Sequence, residues 1–273
     1  MSAPDAVNIS AGVNDLADIL IHPVSVLMPI FNEREVVEIV VEEWAREVFA
    51  FLPDGSEMLF DDASDDGTSE ILEQLKLRYP FIKINRAVRD GFDRASKRLY
   101  AVAKCQLIFF TDSDGQYLPA DFWKVSRLMG HMLPDGPAMV HGYKLNRHDP
   151  FYRIVGSAFF NKLAKLVIGT NGHDINSAFR LIRREYVDEQ VPKLRHVPML
   201  LNSELYIRIE KAGYRIIDVP ITHRERPIGE SRSLPLKSFF KHGWHAACGI
   251  FALQRELSAT RHAKRGAALI DHR

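Results

Sequence analysis

The feature that most constrains this chain is an alternation running through its first 110 or so residues. Short apolar runs, VSVLMPI (24–30), MLFDD (58–62), FIKINR (81–86) and QLIFFTD (106–112), are separated by stretches with apolar residues at steps of three and four. Between Asn32 and Leu52, Val37, Val40, Val41, Trp44, Val48 and Phe51 fall on one helical face. PDGSE (53–57) reads as a turn, and TSEILEQLKLRY (68–79) and DRASKRLYAVAK (93–104) as further helices. Strands alternating with helices imply right-handed crossovers and an α/β fold, a mainly parallel sheet covered on both faces. Ligands of such sheets sit outside the carboxyl ends of the strands. Three of the four runs lead into polar residues there: Asn32–Glu33, Asp61–Asp62 and Asp112–Asp114.

The second half is less regular. Helices are expected over 151–169, 199–213 (closed by Gly213) and 235–257, and strands over 177–184 and 214–221. Residues 1–22 read as a flexible arm. With 273 residues and 46% apolar content, the chain can bury a sizeable core. A net charge of +1 argues against a whole-surface nucleic-acid binder. Cys105 and Cys248 form no disulfide framework, which suits a reducing compartment. The start MSAPDAVNIS lacks the marks of a signal peptide, and no run reaches the roughly 18 apolar residues of a membrane span. The expectation is a cytoplasmic protein, in solution or peripheral on the membrane's cytoplasmic face.

Asp112 and Asp114 pose the chemical question. Two carboxylates this close repel unless a positive charge intervenes. Oxygen ligands suit Mg²⁺ or Mn²⁺ rather than zinc. In an extended segment Gln116 would share their face and supply a third oxygen. Such ions complete their shell with phosphate oxygens and water, so a diphosphate is the expected ligand. Asp, Ser and Gly after a strand are also ordinary turn formers, and D-x-D recurs by chance.

The blocks VSVLMPIFNERE, LFDDASDDGTSEIL, LIFFTDSDGQYLPADF, DINSAFRLIRRE and RPIGESR, in this order, resemble the family 2 glycosyltransferases of the GT-A fold. The likeness is greatest to the dolichyl- or polyprenyl-phosphate sugar synthases and covers about 23–233, with a donor half (23–118) and an acceptor half (119–233). An amphipathic helix and tail (234–273) follow. The resemblance implies a metal-dependent inverting enzyme using a nucleotide-diphospho-sugar. It places Pro29, Asn32, Glu33 and Asp62 on base and ribose, with Asp61 beside them. Asp112, Ser113, Asp114 and Gln116 would face metal and diphosphate, and Arg226, Ser231 and Arg232 would form a phosphate-closing loop. Lys144, Arg153 and Ser157 would receive a lipid phosphate. Three departures stand out: Phe92 and Asp93 after Gly91, Ala178 where glycine is usual, and Lys144 where arginine is commoner.

Several positions keep two readings. Asn32 with Glu35 would also make a capping box, and Pro29 would simply end its strand. Asp66–Gly67–Thr68 reads better as a helix start than as a ligand group. Asp174 is either a turn residue or a group orienting the acceptor. Glu204 is either a general base or the partner of Arg208 at i+4. His141, His173, His196 and His223 have no assigned role. The aromatic helix near Phe239, Phe240 and Trp244 is part core, part surface, or a membrane seat. The acceptor is thus a polyprenyl phosphate, or a hydroxyl of a surface polysaccharide or glycolipid, and a non-catalytic nucleotide-sugar-binding module is the alternative of another class. A membrane-protein partner and a homo-oligomer remain open.

Overall fold

A computed structural model describes residues 22–130, 136–145, 150–228 and 236–271, the last with side chains over 241–260. The expected arm over 1–21, Ser231 and Arg232, and the side chains of Phe239 and Phe240 lie outside the described residues.

The first half follows the alternation. β1 (Val24–Ile30), β2 (Glu57–Asp62), β3 (Ile82–Arg86) and β4 (Leu107–Phe110) are joined by α1 (Val37–Glu47), α2 (Thr68–Arg78) and α3 (Phe92–Val102). The second half adds α4 (Phe122–Met129), β5 (Met139–Lys144), α5 (Phe151–Ile168), β6 (Arg180–Arg183), α6 (Arg184–Gln190), α7 (Leu201–Lys211), β7 (Ile216–Ile221) and α8 (Leu236–Asp271). α4, β5 and α6 have no counterpart in the sequence reading. β5, MVHGYK, shows why: it is buried at both parities in its first four residues, so no two-residue alternation marks it.

All seven strands form one sheet in the order β3-β2-β1-β4-β6-β5-β7. β1 pairs in parallel with β2 and β4, and β2 with β3. β6 is antiparallel to both β4 and β5, and β5 pairs in parallel with β7. The sheet is therefore mainly parallel, with helices on both faces, as expected of a GT-A fold.

Strand direction alone assembles the site. The segments leaving β1, β2, β3 and β4 emerge at one edge. β6 runs against β4, so the segment entering it, 174–179, arrives at that edge as well. β5 and β7 run with β4, so Lys144 and the residues after Ile221 finish there too. The chain turns from β2 on one side of β1 to β4 on the other, which makes β1/β4 the switch point where such sheets bind ligands.

Behind that edge the core centres on Phe109. Its ring packs on Trp44 at 5.5 Å, Phe122 at 5.1 Å and Phe179 at 4.7 Å between centroids, and all four side chains are buried. Edge-on aromatic packing of this kind joins α1, α4 and the entry to β6 on the strand that carries the aspartates. Phe109→Ala is expected to lower unfolding stability by about 3–5 kcal/mol in urea titrations; a loss under about 1 kcal/mol would remove Phe109 from the centre of the core.

Candidate active site

β4 ends at Phe110, earlier than its sequence suggested, although the Thr111 N–H still donates to the Leu27 carbonyl at 3.1 Å. The chain then bends. Ser113 Oγ donates to the Pro29 carbonyl at 3.0 Å, Gln116 N–H donates to Asp114 Oδ1 at 3.0 Å, and Gly115 takes φ +74°. Residues 112, 114 and 116 thus sit on a turn, not along one face of an extended strand. A side chain bonding the backbone two residues on is the usual device of such a turn.

A second segment clamps the turn. Arg224 N–H donates to the Gln116 carbonyl at 2.9 Å and Arg224 Nε to the Gly115 carbonyl at 2.6 Å, while its guanidinium forks onto Glu43 of α1 at 2.5 and 3.1 Å. Gln116 Nε2 donates back to the Arg224 carbonyl at 3.4 Å. A Cβ on Gly115 would lie 3.1 Å from the Pro227 ring and 3.2 Å from Val36, so the close approach and the positive φ both select glycine.

The donors available here are oxygens: two carboxylates and, from Gln116, an amide. Among the described residues no group of three or more His, Cys, Asp or Glu gathers to hold a metal. That set does not suit a structural zinc. It fits a hard divalent cation that takes few protein ligands.

On the β1 side, Asn32 is left-handed (φ +58°). Its N–H donates to Ser64 Oγ at 2.9 Å, and its side chain exchanges bonds with Asp65: Nδ2 to Oδ1 at 2.7 Å, and Asp65 N–H to Asn32 Oδ1 at 2.9 Å. This replaces the capping box. α1 starts only at Val37, and the Glu33 carbonyl accepts from the N–H groups of Val36 and Val37. The Glu33 carboxylate pairs with the Arg226 guanidinium, both largely buried, so two residues expected to meet the donor meet each other across the cleft mouth.

The β2 acids divide by strand parity. Asp62 is buried and accepts from Arg86 (2.6 Å), Ser69 Oγ (2.5 Å) and Ser64 N–H (2.9 Å). Asp61 accepts a fork from Arg98 (2.9 and 2.8 Å) and a bond from Asn85 Nδ2 (2.6 Å). Its buried charge is balanced by Arg98, which also grips Asp90, as that of Asp62 is by Arg86. Asp66 accepts from Thr68 N–H at 3.0 Å, and Gly67 takes φ +98° just before α2, the helix start read from the sequence. Phe31, which the sequence reading passed over, carries the Arg89 guanidinium 4.0 Å from its ring centroid. An aromatic directly after a central strand was the available signal.

On the other flank, Lys144 Nζ lies 5.3 Å from the ring centroid of Tyr117. Burial pushes the Tyr117 phenol up to about 12, opposed by Lys144 and reinforced by Asp112. Arg153 stands in the first turn of α5. Ser157 Oγ donates to Asp174 Oδ1 at 3.3 Å, and the left-handed Asp174 (φ +39°) accepts at its carbonyl from Ser177 N–H at 2.8 Å. His141 Nε2 lies 3.2 Å from the same carbonyl. Burial first, and Arg180 second, hold the His141 pKa well below the usual imidazole value. Arg180, fully buried, donates to the carbonyls of Asn202 (2.6 Å), Ile175 (3.3 Å) and Ser177. The structure thus brings Lys144, Ser157 and Asp174 to the edge that carries Asp112 and Asp114.

Glu204 is elsewhere in function. It is buried, takes backbone N–H bonds from Arg195, His196 and Val197 at 2.8–3.2 Å, and pairs with Arg208 at 2.9 Å. Both oxygens are committed to holding that loop, so the general-base reading gives way to the i,i+4 pair. Arg208 passes the charge on to Glu256 of α8 at 2.9 Å, where Arg195 (2.8 Å) and His196 (2.5 Å) also converge. Burial alone would raise the Glu256 pKa; the bonds from Arg208, His196 and Arg195 override it and bring it to about 2. A depressed carboxylate stabilises the fold above its unfolded pKa and loses that contribution as pH falls. Stability is therefore expected to decline from about pH 4.5 to about pH 2 in wild type and to do so less steeply in Glu256→Gln, measured by urea unfolding at stepped pH; identical slopes would dismiss this clasp.

Comparison with known proteins converges on one family. Residues 25–190 match the family model for glycosyl transferase family 2. The chain is 28% identical over 223 residues to polyprenol monophosphomannose synthase of Mycolicibacterium smegmatis, covering 76% of this chain and 79% of that one. Its fold is that of glucosyl-3-phosphoglycerate synthase from Mycobacterium tuberculosis, solved with UDP (TM-score 0.64, 20% identity, 90% and 86% of the two chains). It is also that of a mannosyltransferase from Pyrobaculum calidifontis solved with GDP-Man and Mn²⁺ (TM-score 0.56, 18% identity, 92% and 79%). The family match spans the β1 loop, the aspartate turn and the entry to β6, and on it the chain belongs to glycosyl transferase family 2 and is a glycosyltransferase.

Proposed function

We propose that the enzyme transfers a sugar from a nucleotide-diphosphate donor to a polyprenyl phosphate, with inversion at the anomeric carbon. The observation that carries this reading is the meeting at one sheet edge of an oxygen-donor turn, Asp112 and Asp114, with Lys144 at the end of β5. The Mycolicibacterium relative is named for that kind of product. In the reaction an acceptor oxygen bonds to the anomeric carbon as the bond from that carbon to the diphosphate oxygen breaks, and the nucleoside diphosphate leaves with the electron pair. A divalent cation held by Asp112 and Asp114, with Gln116 beside them, would offset the charge gathering on that group. Mg²⁺ and Mn²⁺ both suit these ligands; Mn²⁺ accompanies UDP-glucose in glucosyl-3-phosphoglycerate synthase and GDP-Man in the Pyrobaculum mannosyltransferase.

The protein's own groups do the rest. Asn32, Glu33 and Asp62 frame the donor's base and ribose, and Pro29 and Ser113 hold the turn against β1. Arg226 stands paired with Glu33 at the mouth, where it can exchange that carboxylate for a phosphate oxygen; Ser231 and Arg232 would add to it. Fixed positive groups aimed at developing charge cost little reorganisation as it forms. On the acceptor side, Arg153 and Ser157 lie in the first two turns of α5, whose N-terminus favours an anion. A phosphate acceptor is anionic at neutral pH and needs no strong base. With Glu204 committed to Arg208, that agrees with the site better than a hydroxyl acceptor, which would leave the proton to Asp174.

The same reading places the enzyme peripherally on the cytoplasmic face of a membrane. No helix among the described residues is long and apolar enough to cross one. α5 and α8 pack together and turn apolar side chains outward: Phe151 (81% exposed), Phe159 and Leu166 on one, Trp244 (71%) and Phe251 on the other. Neither 151–168 nor 236–255 contains an acidic residue, while Lys162, Lys165, Lys241 and Arg255 are exposed. An apolar face with exposed lysine and arginine beside it suits an anionic lipid surface.

Two outcomes are expected. Sugar transfer from a labelled donor to polyprenyl phosphate in detergent should require Mg²⁺ or Mn²⁺ and fall at least about a hundredfold in Asp114→Ala. Full transfer in EDTA would overturn the cation assignment, and transfer to glycans alone would overturn the acceptor. In flotation assays the protein should rise with phosphatidylglycerol vesicles, and Phe159→Ser with Trp244→Ser should weaken that about tenfold or more. Equal binding by the variant, or a concentration-dependent dimer that covers this face, would assign it to something other than lipid.

A further inference from the structure

Tyr117 lies one residue beyond Gln116, between the proposed cation ligands and the acceptor-side residues. It is 4% exposed, and four parts of the site converge on it. Its backbone bridges antiparallel to His223, within the segment that clamps the aspartate turn, and its ring packs edge-on to that histidine at 5.5 Å. The face of the ring carries the Lys144 ammonium at 5.3 Å. Its phenol oxygen accepts from Ala178 N–H at 3.2 Å and lies 3.3 Å from Ser177 Oγ. Ring packing on Phe179 at 5.4 Å completes the set. In the contact with Ser177 either hydroxyl can donate.

We infer that Tyr117 is a positioning residue that couples the aspartate turn to the acceptor side, by holding Lys144 on its ring face and the 177–178 backbone on its hydroxyl. The physical need is specific. Lys144 sits on a flexible four-carbon stem at the end of β5, and the aromatic face gives its charge a defined seat. Tyr117 directly follows Gln116 of the turn and its ring face meets the Lys144 ammonium, so the tyrosine links the cation-binding turn to the acceptor cation. Its neighbour in sequence, Gln116, is tied to Arg224, so a shift of the turn reaches Lys144 through one buried ring. The departure at Ala178 fits as well: the contact uses its backbone N–H, which alanine keeps.

The acceptor role of Lys144 rests on the reading above, so the test has one arm that needs no acceptor. Reductive ¹³C-methylation of the folded protein should give one dimethyl-lysine signal displaced by ring current, absent in Lys144→Arg. It should remain displaced in Tyr117→Phe and return to the exposed-lysine position in Tyr117→Leu. A Lys144 signal already at the exposed position in wild type overturns the proposal. In the second arm, Tyr117→Leu should raise the KM for polyprenyl phosphate about tenfold with the donor KM unchanged, and Tyr117→Phe should restore most of the difference. Donor and acceptor KM moving together in both variants would reduce Tyr117 to packing and overturn the coupling. A displaced signal in an enzyme that ignores polyprenyl phosphate would leave the lysine seat standing and bring down the acceptor reading instead.

Discussion

The ladder of β4 is the constraint on which the rest of the structure depends. On one side β4 runs parallel to β1, with Leu27 opposite Phe110; on the other it runs antiparallel to β6, with Phe110 opposite Arg180. Those two pairings place the aspartate turn between the β1 loop and the entry to β6. Phe109, packed by three rings from three other elements, fixes the strand from behind. A slip of one residue would shift the aspartate turn against both the β1 loop and the entry to β6.

Around that strand the protein spends buried charge in two ways. Asp61, Glu204 and Glu256 are structural: each is matched to arginine, and their networks hold α3 to β2, the 195–197 loop to α7, and α8 to that loop. Glu33, Arg224 and Arg226 lie at the mouth and tie 224–228 to the β1 loop, α1 and the aspartate turn. The difference lies in position along the strands. Charges behind the strand ends are closed off by partners within the protein, whereas those beyond the strand ends border the space a substrate would enter. Placement of the proposed donor and acceptor on the two flanks follows from this division.

Much of this was legible in the residues. The alternation of apolar runs and helical patterns located β1 to β4 and their helices, and the acids after β1, β2 and β4 marked the edge of the site. Less legible were elements without a period. β5 is buried at both parities, and α1 begins late because Asn32 turns left-handed to meet Ser64 and Asp65, over thirty residues away. Glu204 shows the same limit from the other side: its spacing from Arg208 was visible, but the three backbone N–H groups that occupy it come from a loop whose path no local pattern reveals.

Sequence alone therefore determined the fold class and the reaction family, because each is written in neighbouring residues whose spacing carries the physics. Tertiary structure decided which acids are available and which are consumed, that a left-handed Asp174 meets Ser157, and that Tyr117 lies between Lys144 and the aspartate turn. Those outcomes depend on groups that the fold brings together from as few as 7 to as many as 193 residues apart, such as Val197 with Glu204 and Glu33 with Arg226. Whether a buried charge is spare or spent is a property of its three-dimensional surroundings, and the order of residues along a chain does not contain it.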